Sequence, residues 1–519
     1  MALAVALAHR FFYIFNPDSI ALLQLAHYWW HGQWSLALSS YWGPLFSVLL
    51  SPLLGIGIEP FLAGRIAMIV SALIYVVGAR ALLKALGIVS IPLELCTLLV
   101  GIIAALYSAM MPTADLLMSG LISFGLSQLL SANWTASRIT QFAAGILLGM
   151  AYLSKAIALP LTVLVIFAVA LVNFWPHSRQ RRRVIAASIA TCLAFALFVS
   201  PWIGALSLKF GTLMFSSSGA LNHTIAGPSD VDRYHPVGRT FHIPRDNRKF
   251  AWEDPFGMPY RHWSPFESRK YLRYQIWLIQ SNAQNIVATL GIGLVTIALI
   301  AFVTVRPWRG GPPVWWAWTL PLVGLMSCLY LPVFADSPRY YLLSYPPLLG
   351  CAVMLIYGFG KRFGLRAKAG LLLAIVVSGM LAFQNQIRPA WSALHQIDGE
   401  YGFAMRQALP MARQIVATHG PIEVASVGDD WRVGMFIAYA LNSRWRGNVP
   451  NPTFDEVKRS GAQLFVVKNG HSLLPEFAAD PGMQEENAPE PLAGLKTKSG
   501  KMRYFWYKKL NDQSETRHE

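Results

Sequence analysis

The residues that decide the fold are IFNPDSIALLQLAHYWWHGQW, residues 14–34. An apolar run ends at Asn16-Pro17, a single carboxylate follows at Asp18, and the next segment is crowded with aromatic side chains. Aromatic rings at this density are typical of the boundary between membrane and water, where they lie at the level of the lipid headgroups. The stretch predicts that a membrane span ends here and that a helix follows along the membrane surface.

The composition of the whole chain indicates the same class. Of its 519 residues 54% are hydrophobic and 13% are charged, whereas soluble domains typically contain about 25% charged residues. Apolar runs of about 20 residues are typical of membrane spans, and such spans are helices because lipid offers the backbone no other hydrogen-bond partner. We predict an α-helical polytopic membrane protein with about eleven transmembrane helices. The predicted spans are roughly 2–15, 62–83, 92–110, 115–131, 141–154, 157–174, 184–204, 284–304, 314–334, 340–359 and 369–384.

The orientation follows from the basic residues in the loops. They come after the second, fourth, sixth, eighth and tenth spans, at Arg80 and Lys84, Arg138, residues 177–183, Arg306 and Arg309, and residues 361–368. By the positive-inside rule these loops are cytoplasmic, so Asp18 lies on the extracytoplasmic face of a plasma (inner) membrane. The net charge of +17 is thus mainly an orientation signal. No basic patch on a soluble domain is predicted, which argues against nucleic-acid binding.

The tail has a different composition from the membrane segments. PIEVASVGDD is typical of a strand that runs into a turn, a helix is predicted near 431–441, and AQLFVVK and MRYFWYKK predict further strands. We therefore predict a membrane domain at residues 1–384 and a small extracytoplasmic α/β domain at residues 385–519. The four cysteines lie in apolar runs and are interpreted as packing residues. The first segment is interpreted as a retained, short span that lacks a few upstream residues.

Several ionisable residues are predicted at the outer face. Asp18 either caps its helix or has a chemical role, and His27 and His31 share one face of that helix. Asp115 opens the fourth span and is either a helix cap or a functional group. Lys155 lies in the turn between the fifth and sixth spans and either reaches the membrane interface or binds a ligand.

Two further residues complete this predicted group. Arg339 begins the tenth span beside Tyr340, and the alternative to a functional role is a salt bridge with Asp336. His223 lies in the long outer loop, where a single histidine is more often structural. Carboxylates, a lysine, an arginine and a histidine at one membrane face together suggest a functional site.

The residue types suit one kind of chemistry. A carboxylate can accept the proton of an attacking hydroxyl, while a lysine and an arginine can bind a phosphate as anchor or leaving group. A polyprenyl-phosphate sugar has its phosphate at the membrane surface and its tail in lipid. The pattern therefore predicts transfer of a sugar from such a donor to a hydroxyl of a lipid, glycan or protein acceptor.

The chain resembles the GT-C glycosyltransferases, in particular the branch of lipid A aminoarabinose transferases, protein O-mannosyltransferases and Rhizobium-type galacturonosyl transferases. The resemblance covers about residues 1–385 and rests on the order and spacing of six stretches. They are NPDSIALLQLA, YWGPLFSVLLSP, MPTADLLM, AGILLGMAYLSKAIALPL, SPWIGALSLKF with a following histidine, and PRYYLLSYPPLL.

The resemblance implies a role for each candidate residue. Asp18 matches the catalytic base of an inverting single displacement, and Asp115 matches a second acidic residue at the site. Lys155 matches the lysine near the donor phosphate, with Arg339 and Tyr340 flanking the pocket. The remaining candidate, His223, lies where aminoarabinose transferases have a metal-coordinating histidine.

One departure from the family pattern concerns the metal. The aminoarabinose transferases have a Glu-Lys pair just before the proline of the re-entrant piece, and this chain has Trp42-Gly43 before Pro44. No cofactor is therefore firmly implied, and a divalent metal stays an open option, with His27 and His31 as alternative ligands. Two other functions also stay open: a ligase for lipid-linked glycans, and a lipid or sugar transporter (flippase), against which the absence of a sequence repeat counts.

Overall fold

The computed structural model describes residues 1–174, 181–230, 240–258, 262–308, 314–333, 337–362, 367–419, 422–428, 431–486 and 502–507. They form two compact units, each built from separate stretches of the chain. Unit 1 contains Met1–Arg10, Leu38–Pro228 and His262–Leu394, and unit 2 contains Phe11–Ala37, Ser229–Arg261 and His395–Glu519. The division into domains 1–384 and 385–519 stays a prediction.

The described residues are mostly helical. The helices are α1 Ala2–Arg10, α2 Pro17–Trp30, α3 Trp34–Ala37, α4 Pro44–Gly55, α5 Pro60–Ala85, α6 Ser90–Ala109, α7 Asp115–Leu129, α8 Arg138–Ser154, α9 Ala158–Phe174, α10 Arg181–Phe210, α11 Ser218–Ile225, α12 Arg269–Leu290, α13 Ile292–Val305, α14 Thr319–Cys328, α15 Tyr345–Arg362, α16 Ala367–Ala382, α17 Arg388–Ile397, α18 Phe403–His419, α19 Arg432–Ala440, α20 Phe454–Arg459 and α21 Leu474–Ala479. The strands are β1 Val424–Val427, β2 Trp445–Val449, β3 Leu464–Lys468, β4 Met483–Glu486 and β5 Met502–Tyr507.

Within the described ranges, four helical segments are long and apolar enough to cross a membrane. They are Pro60–Ala85, Ser90–Ala109, Arg181–Phe210 and Pro338–Phe359. Helices α12 and α13 together form a broken or re-entrant span with a bend of 93°, and α4, α7 and α9 are shorter apolar helices. The protein is thus a helical membrane protein, as predicted, while the count of about eleven crossings stays a prediction.

Small residues set the packing of α5 against α7 in unit 1. A side chain at Gly78 would lie 2.3 Å from the carbonyl oxygen of Gly120, and one at Gly120 would lie 2.7 Å from the backbone nitrogen of Tyr75. Backbones approach this closely only where side chains are absent, which is a common way to pack helices in lipid. The Tyr75 hydroxyl also donates to the carbonyl of Leu342 at 2.6 Å. Helix α5 therefore fixes both the start of α7 and the turn that precedes α15.

Unit 2 contains a five-stranded sheet in the order β2-β1-β3-β5-β4. Strand β1 pairs in parallel with β2 and β3, whereas β5 pairs antiparallel with β3 and β4. Its core contains Val427, Phe465, Val467, Phe477 and Phe505, all nearly inaccessible to solvent. The sequence predicted β1, α19, β3 and β5, and the structure confirms a small α/β region in the tail.

Candidate functional site

Asp115 is the first residue of α7 and lies almost entirely buried. Its carboxylate is favoured there by the positive end of the helix dipole. The turn before it is held from α5, because the buried Arg65 donates to the carbonyls of Ala109 and Met110 at 2.9 Å and 2.5 Å. Since Ala114 is the N-cap and makes no side-chain cap bond, Asp115 is not the N-cap that the sequence allowed.

Two basic side chains pair with this carboxylate. Lys155 ends α8 as its C-cap residue, and its Nζ lies 2.5 Å from Oδ1 of Asp115. The Nε of Arg339, in the 3₁₀ turn Pro338–Ser344 before α15, lies 3.8 Å from Oδ2. Three helix ends therefore bring together residues that are far apart in sequence. The predicted pairing of Arg339 with Asp336 lies outside the described residues.

The carboxylate and the two basic side chains differ in their exposure to solvent. The Asp115 side chain is 4% exposed, but those of Lys155 and Arg339 are 29% and 19% exposed. The carboxylate lies beneath the two cations, which retain access to a ligand. Because two positive charges face one negative charge, the group has one positive charge in excess. Such a surface favours an anion.

An aromatic wall completes this group. The Tyr340 ring lies 4.5 Å from the Lys155 ammonium and 5.3 Å from the Arg339 guanidinium, and it stacks on Tyr330 with centroids 5.0 Å apart. Cations on a ring face are stabilised by the ring's negative quadrupole, so Tyr340 limits the positions that both cations adopt. We call Asp115, Lys155, Arg339 and Tyr340 the Asp115 cluster.

The structure gives a reason for the glycine at position 43, where the aminoarabinose transferases have the lysine of their Glu-Lys pair. A Cβ at this position would lie 2.3 Å from the carbonyl oxygen of Leu153 and 2.9 Å from the carbonyl carbon of Ser154. The start of α4 thus packs directly on the backbone that precedes Lys155. A glutamate or lysine here would displace the end of α8, so the local packing requires the glycine.

Asp18 lies in unit 2, in the first turn of α2. The N-cap is Asn16, whose Oδ1 accepts from the backbone N–H of Ser19 at 3.0 Å, so the interpretation of Asp18 as the N-cap is not supported. Instead, the half-buried carboxylate of Asp18 accepts a hydrogen bond from the indole Nε1 of Trp252 at 2.9 Å. Its chemistry is therefore set by a tertiary contact as well as by the helix start.

Trp252 belongs to a short buried turn, residues 248–254, that we call the Glu253 turn. Oε1 of Glu253 accepts from the backbone N–H groups of Lys249 and Phe250 at 3.0 Å and 2.9 Å. Oε2 lies 3.5 Å from the buried guanidinium of Arg248, which also lies 3.7 Å from Asp254. Burial raises the pKa of Glu253 to about 7, although Arg248 and the backbone bonds act in the opposite direction.

This raised pKa makes the stability depend on pH. The folded state binds the Glu253 proton more tightly than the unfolded state, so the stabilisation is complete below about pH 4.5 and is lost as the pH rises through about 7. The difference corresponds to roughly 3 kcal/mol. We expect denaturant unfolding, followed by tryptophan fluorescence between pH 4.5 and 8, to show this loss. In Glu253→Gln, the free energy of unfolding should change much less with pH. The control Glu485→Gln, on β4, should retain the pH dependence of the wild type. An unchanged pH dependence in Glu253→Gln would refute the assignment.

The three histidines predicted as candidate ligands, His27, His31 and His223, have other contacts. His223 Nε2 lies 3.0 Å from Oε1 of Gln275, and its ring stacks on Trp263 with centroids 4.4 Å apart. The rings of His27 and His31 lie 4.0 Å apart, but Nδ1 of His31 contacts the carbonyl of His27. Within the described ranges no three His, Cys, Asp or Glu side chains lie close enough to share a metal ion. These surroundings do not fit a metal ion.

The structure thus joins four of the predicted residues in the Asp115 cluster, while Asp18 has its partners in unit 2 and His223 has its own elsewhere in unit 1.

Sequence reasoning missed Arg65, Tyr330 and Trp252. A buried arginine in an apolar span was a usable signal for Arg65. For Trp252 none was available, since it lies 234 residues from Asp18 in the chain.

Comparisons with known proteins bear on the fold. No protein-family model matches the chain, and no curated protein matches it. Among solved structures, ArnT from Cupriavidus metallidurans bound to undecaprenyl phosphate aligns with a TM-score of 0.55 and 13% identity over 97% of each chain. Apo ArnT gives 0.46 and 13% over 98% of each chain. The apo oligosaccharyltransferase of Archaeoglobus fulgidus gives 0.46 and 9% over 88% of this chain and 66% of that one.

The alignment with undecaprenyl phosphate-bound ArnT extends over nearly the whole of both chains, and its TM-score is the one that supports a common architecture. At this low identity the likeness concerns the fold, and it agrees with the helical membrane part and the small α/β region described above. This chain therefore shares the overall fold of ArnT.

Proposed function

We propose that this protein is an integral-membrane glycosyltransferase that moves a sugar from a polyprenyl-phosphate donor to a hydroxyl acceptor. The observation that carries the proposal is the Asp115 cluster, in which two partly exposed cations and one buried carboxylate meet at the ends of apolar helices. A lipid-linked phosphate needs a basic site at the membrane surface and apolar helices beside its tail. The fold shared with a protein whose structure holds undecaprenyl phosphate supports the same donor class.

The donor phosphate is proposed to bind Lys155 and Arg339. The phosphodiester of the donor carries one negative charge, and it gains a second as polyprenyl phosphate leaves. The excess positive charge of the cluster suits the first charge and stabilises the second as it develops. Arginine adds a planar pair of donors that matches phosphate oxygens, while lysine acts as a point charge. Tyr340 is proposed to flank the bound phosphate.

The two carboxylates are proposed to differ in role. Asp18 is the base: the acceptor oxygen attacks the anomeric carbon, the bond from that carbon to the phosphate oxygen breaks, and the hydroxyl proton passes to the carboxylate of Asp18. A single displacement of this kind inverts the anomeric configuration. Asp115, although grouped with the catalytic residues by the family resemblance, is proposed to orient Lys155 and Arg339, because it is buried and paired with both.

The protein is a membrane protein, and the reaction is proposed to occur on the extracytoplasmic face of the plasma membrane. The distribution of arginine and lysine over the loops supports this orientation. The acceptor class, whether glycan, lipid or protein, is part of the proposal to be tested. No nucleic-acid partner is proposed.

A transfer assay tests the proposed function. The purified protein in lipid nanodiscs receives polyprenyl-phosphate donors with different labelled sugars, together with membrane lipid, glycan or peptide acceptors. We expect release of polyprenyl phosphate in equal amount to labelled product, with the opposite anomeric configuration by NMR. Retained configuration would exclude the single displacement. Movement of the donor across a vesicle membrane without transfer would favour a flippase, and transfer of whole glycans alone would favour a ligase.

A further inference from the structure

We propose that Trp252 is a positioning residue that holds the carboxylate of Asp18 in one orientation for proton transfer. This inference rests on the proposed function, since it concerns the same base. It begins from one contact, the 2.9 Å hydrogen bond from Nε1 of Trp252 to Oδ1 of Asp18. A hydrogen bond from a neutral donor to a carboxylate is stronger than one between neutral groups and fixes the direction of the accepting oxygen.

The indole itself has little freedom to move. Trp252 is 5% exposed and is flanked by Glu253, whose side chain closes the Glu253 turn through the backbone N–H groups of Lys249 and Phe250. Arg248, equally buried, joins the two ends of the turn through Glu253 and Asp254. The turn packs against α2, the helix that carries Asp18. A buried network of this kind presents the Nε1 proton at a fixed place.

The chemistry of the indole separates positioning from proton relay. The Nε1–H group only donates and has no lone pair with which to accept a proton. Trp252 therefore cannot carry the proton away from Asp18. Its effect is to hold Oδ1, so that the carboxylate keeps one orientation while the acceptor approaches.

Other charged groups lie around this pair. Tyr401 interacts electrostatically with Asp18 and also contacts Arg432, which in turn lies 3.5 Å from Glu400. The Glu253 turn, to which Trp252 belongs, itself contains the charged residues Arg248, Lys249, Glu253 and Asp254. Burial raises the pKa of Tyr401, so its hydroxyl stays neutral through the range in which the assay is run.

The test compares kcat with KM in Trp252→Phe. This change removes the N–H donor and retains an aromatic ring, so the carboxylate is no longer held in one orientation. We expect kcat to fall about tenfold with an unchanged KM for the donor. Trp252→His, which restores a ring N–H, should recover part of kcat.

The matched control is Trp445→Phe. Trp445 is also buried in unit 2 and donates its Nε1–H to Ser426 at 3.2 Å, in the sheet. It loses the same group by the same substitution, and its kcat and KM should remain those of the wild type. If Trp252→Phe raised the KM for the donor as much as it lowered kcat, or lowered the thermal midpoint as its only effect, Trp252 would have a structural role and the inference would be wrong.

The inference and the proposed function fail in distinguishable ways. If Asp18→Asn keeps full activity, the base assignment itself is wrong. If Asp18→Asn is inactive while Trp252→Phe keeps the wild-type kcat, the base stands and the positioning role is wrong. In the double variant Asp18→Asn/Trp252→Phe, we expect no loss beyond that of Asp18→Asn, because residues that act through one group are not additive.

Discussion

Asp18→Asn should reduce sugar transfer by about 10²–10⁴-fold, the range typical for the loss of a general base. Asparagine has nearly the same size and can still accept the hydrogen bond from Trp252, but it cannot take the proton of an acceptor hydroxyl. The start of α2 should survive, because its cap is Asn16. We therefore expect normal yield, normal insertion and unchanged donor binding together with a loss of kcat. The measurement is steady-state transfer in nanodiscs, with donor affinity determined separately.

The matched control for this prediction is Asp480→Asn. Asp480 is a partly buried aspartate of the same unit, paired with Lys458 and bonded to the backbone N–H of Gly482 at 2.7 Å. Its substitution removes one charge without touching the proposed chemistry, so transfer should remain within twofold or so of the wild type. Turnover near the wild-type rate in Asp18→Asn would show that Asp18 is not the base. Equal losses in both variants would point to a general effect of charge removal.

Much of the membrane part could be predicted from sequence because apolar runs and basic loops are strong, local signals. They placed Asp115 at the start of one helix and Lys155 at the end of another. Both residues were predicted at helix ends on the same face of the membrane. Because charged side chains avoid lipid, it was reasonable to expect the two to lie close together. The structure brings both together with Arg339.

The parts that sequence reasoning missed depend on distant contacts. Asp18 looked like an N-cap because it precedes an apolar helix, but Asn16 fills that place with a capping box to Ser19. Strand β2 has Gly447 with φ +92° in its middle, and β4 is a polar edge strand, so neither shows an alternating pattern. The bend between α12 and α13 is located at Gly291, whose φ is +92°. Apolar composition alone does not indicate such a break.

The donor site is tested most directly at Lys155. Lys155→Met retains the apolar stem and removes the charge, so the phosphate loses one charge-assisted hydrogen bond. Such a bond is worth about 1.5–3 kcal/mol, which corresponds to a roughly ten- to hundredfold weaker donor affinity. Acceptor affinity should change little, because Lys155 is proposed to contact the phosphate of the donor. Lys155→Arg, which keeps the charge beside Asp115, should recover part of the donor affinity and shows whether the fold at this position is intact.

Lys209→Met is the matched control for this substitution. Lys209 is also in unit 1, near the end of α10, where its Nζ donates to the carbonyl of Leu38 at 2.7 Å and lies 5.2 Å from the Phe210 ring. It offers the same charge and a similar aromatic contact, and it has no part in the proposed phosphate site, so donor binding should be unaffected. Titrations of donor and acceptor on both variants in nanodiscs separate the roles. If Lys155→Met bound the donor normally and the acceptor weakly, the phosphate assignment would be wrong. Lys155 would then serve mainly as a structural partner that pairs with the buried carboxylate of Asp115.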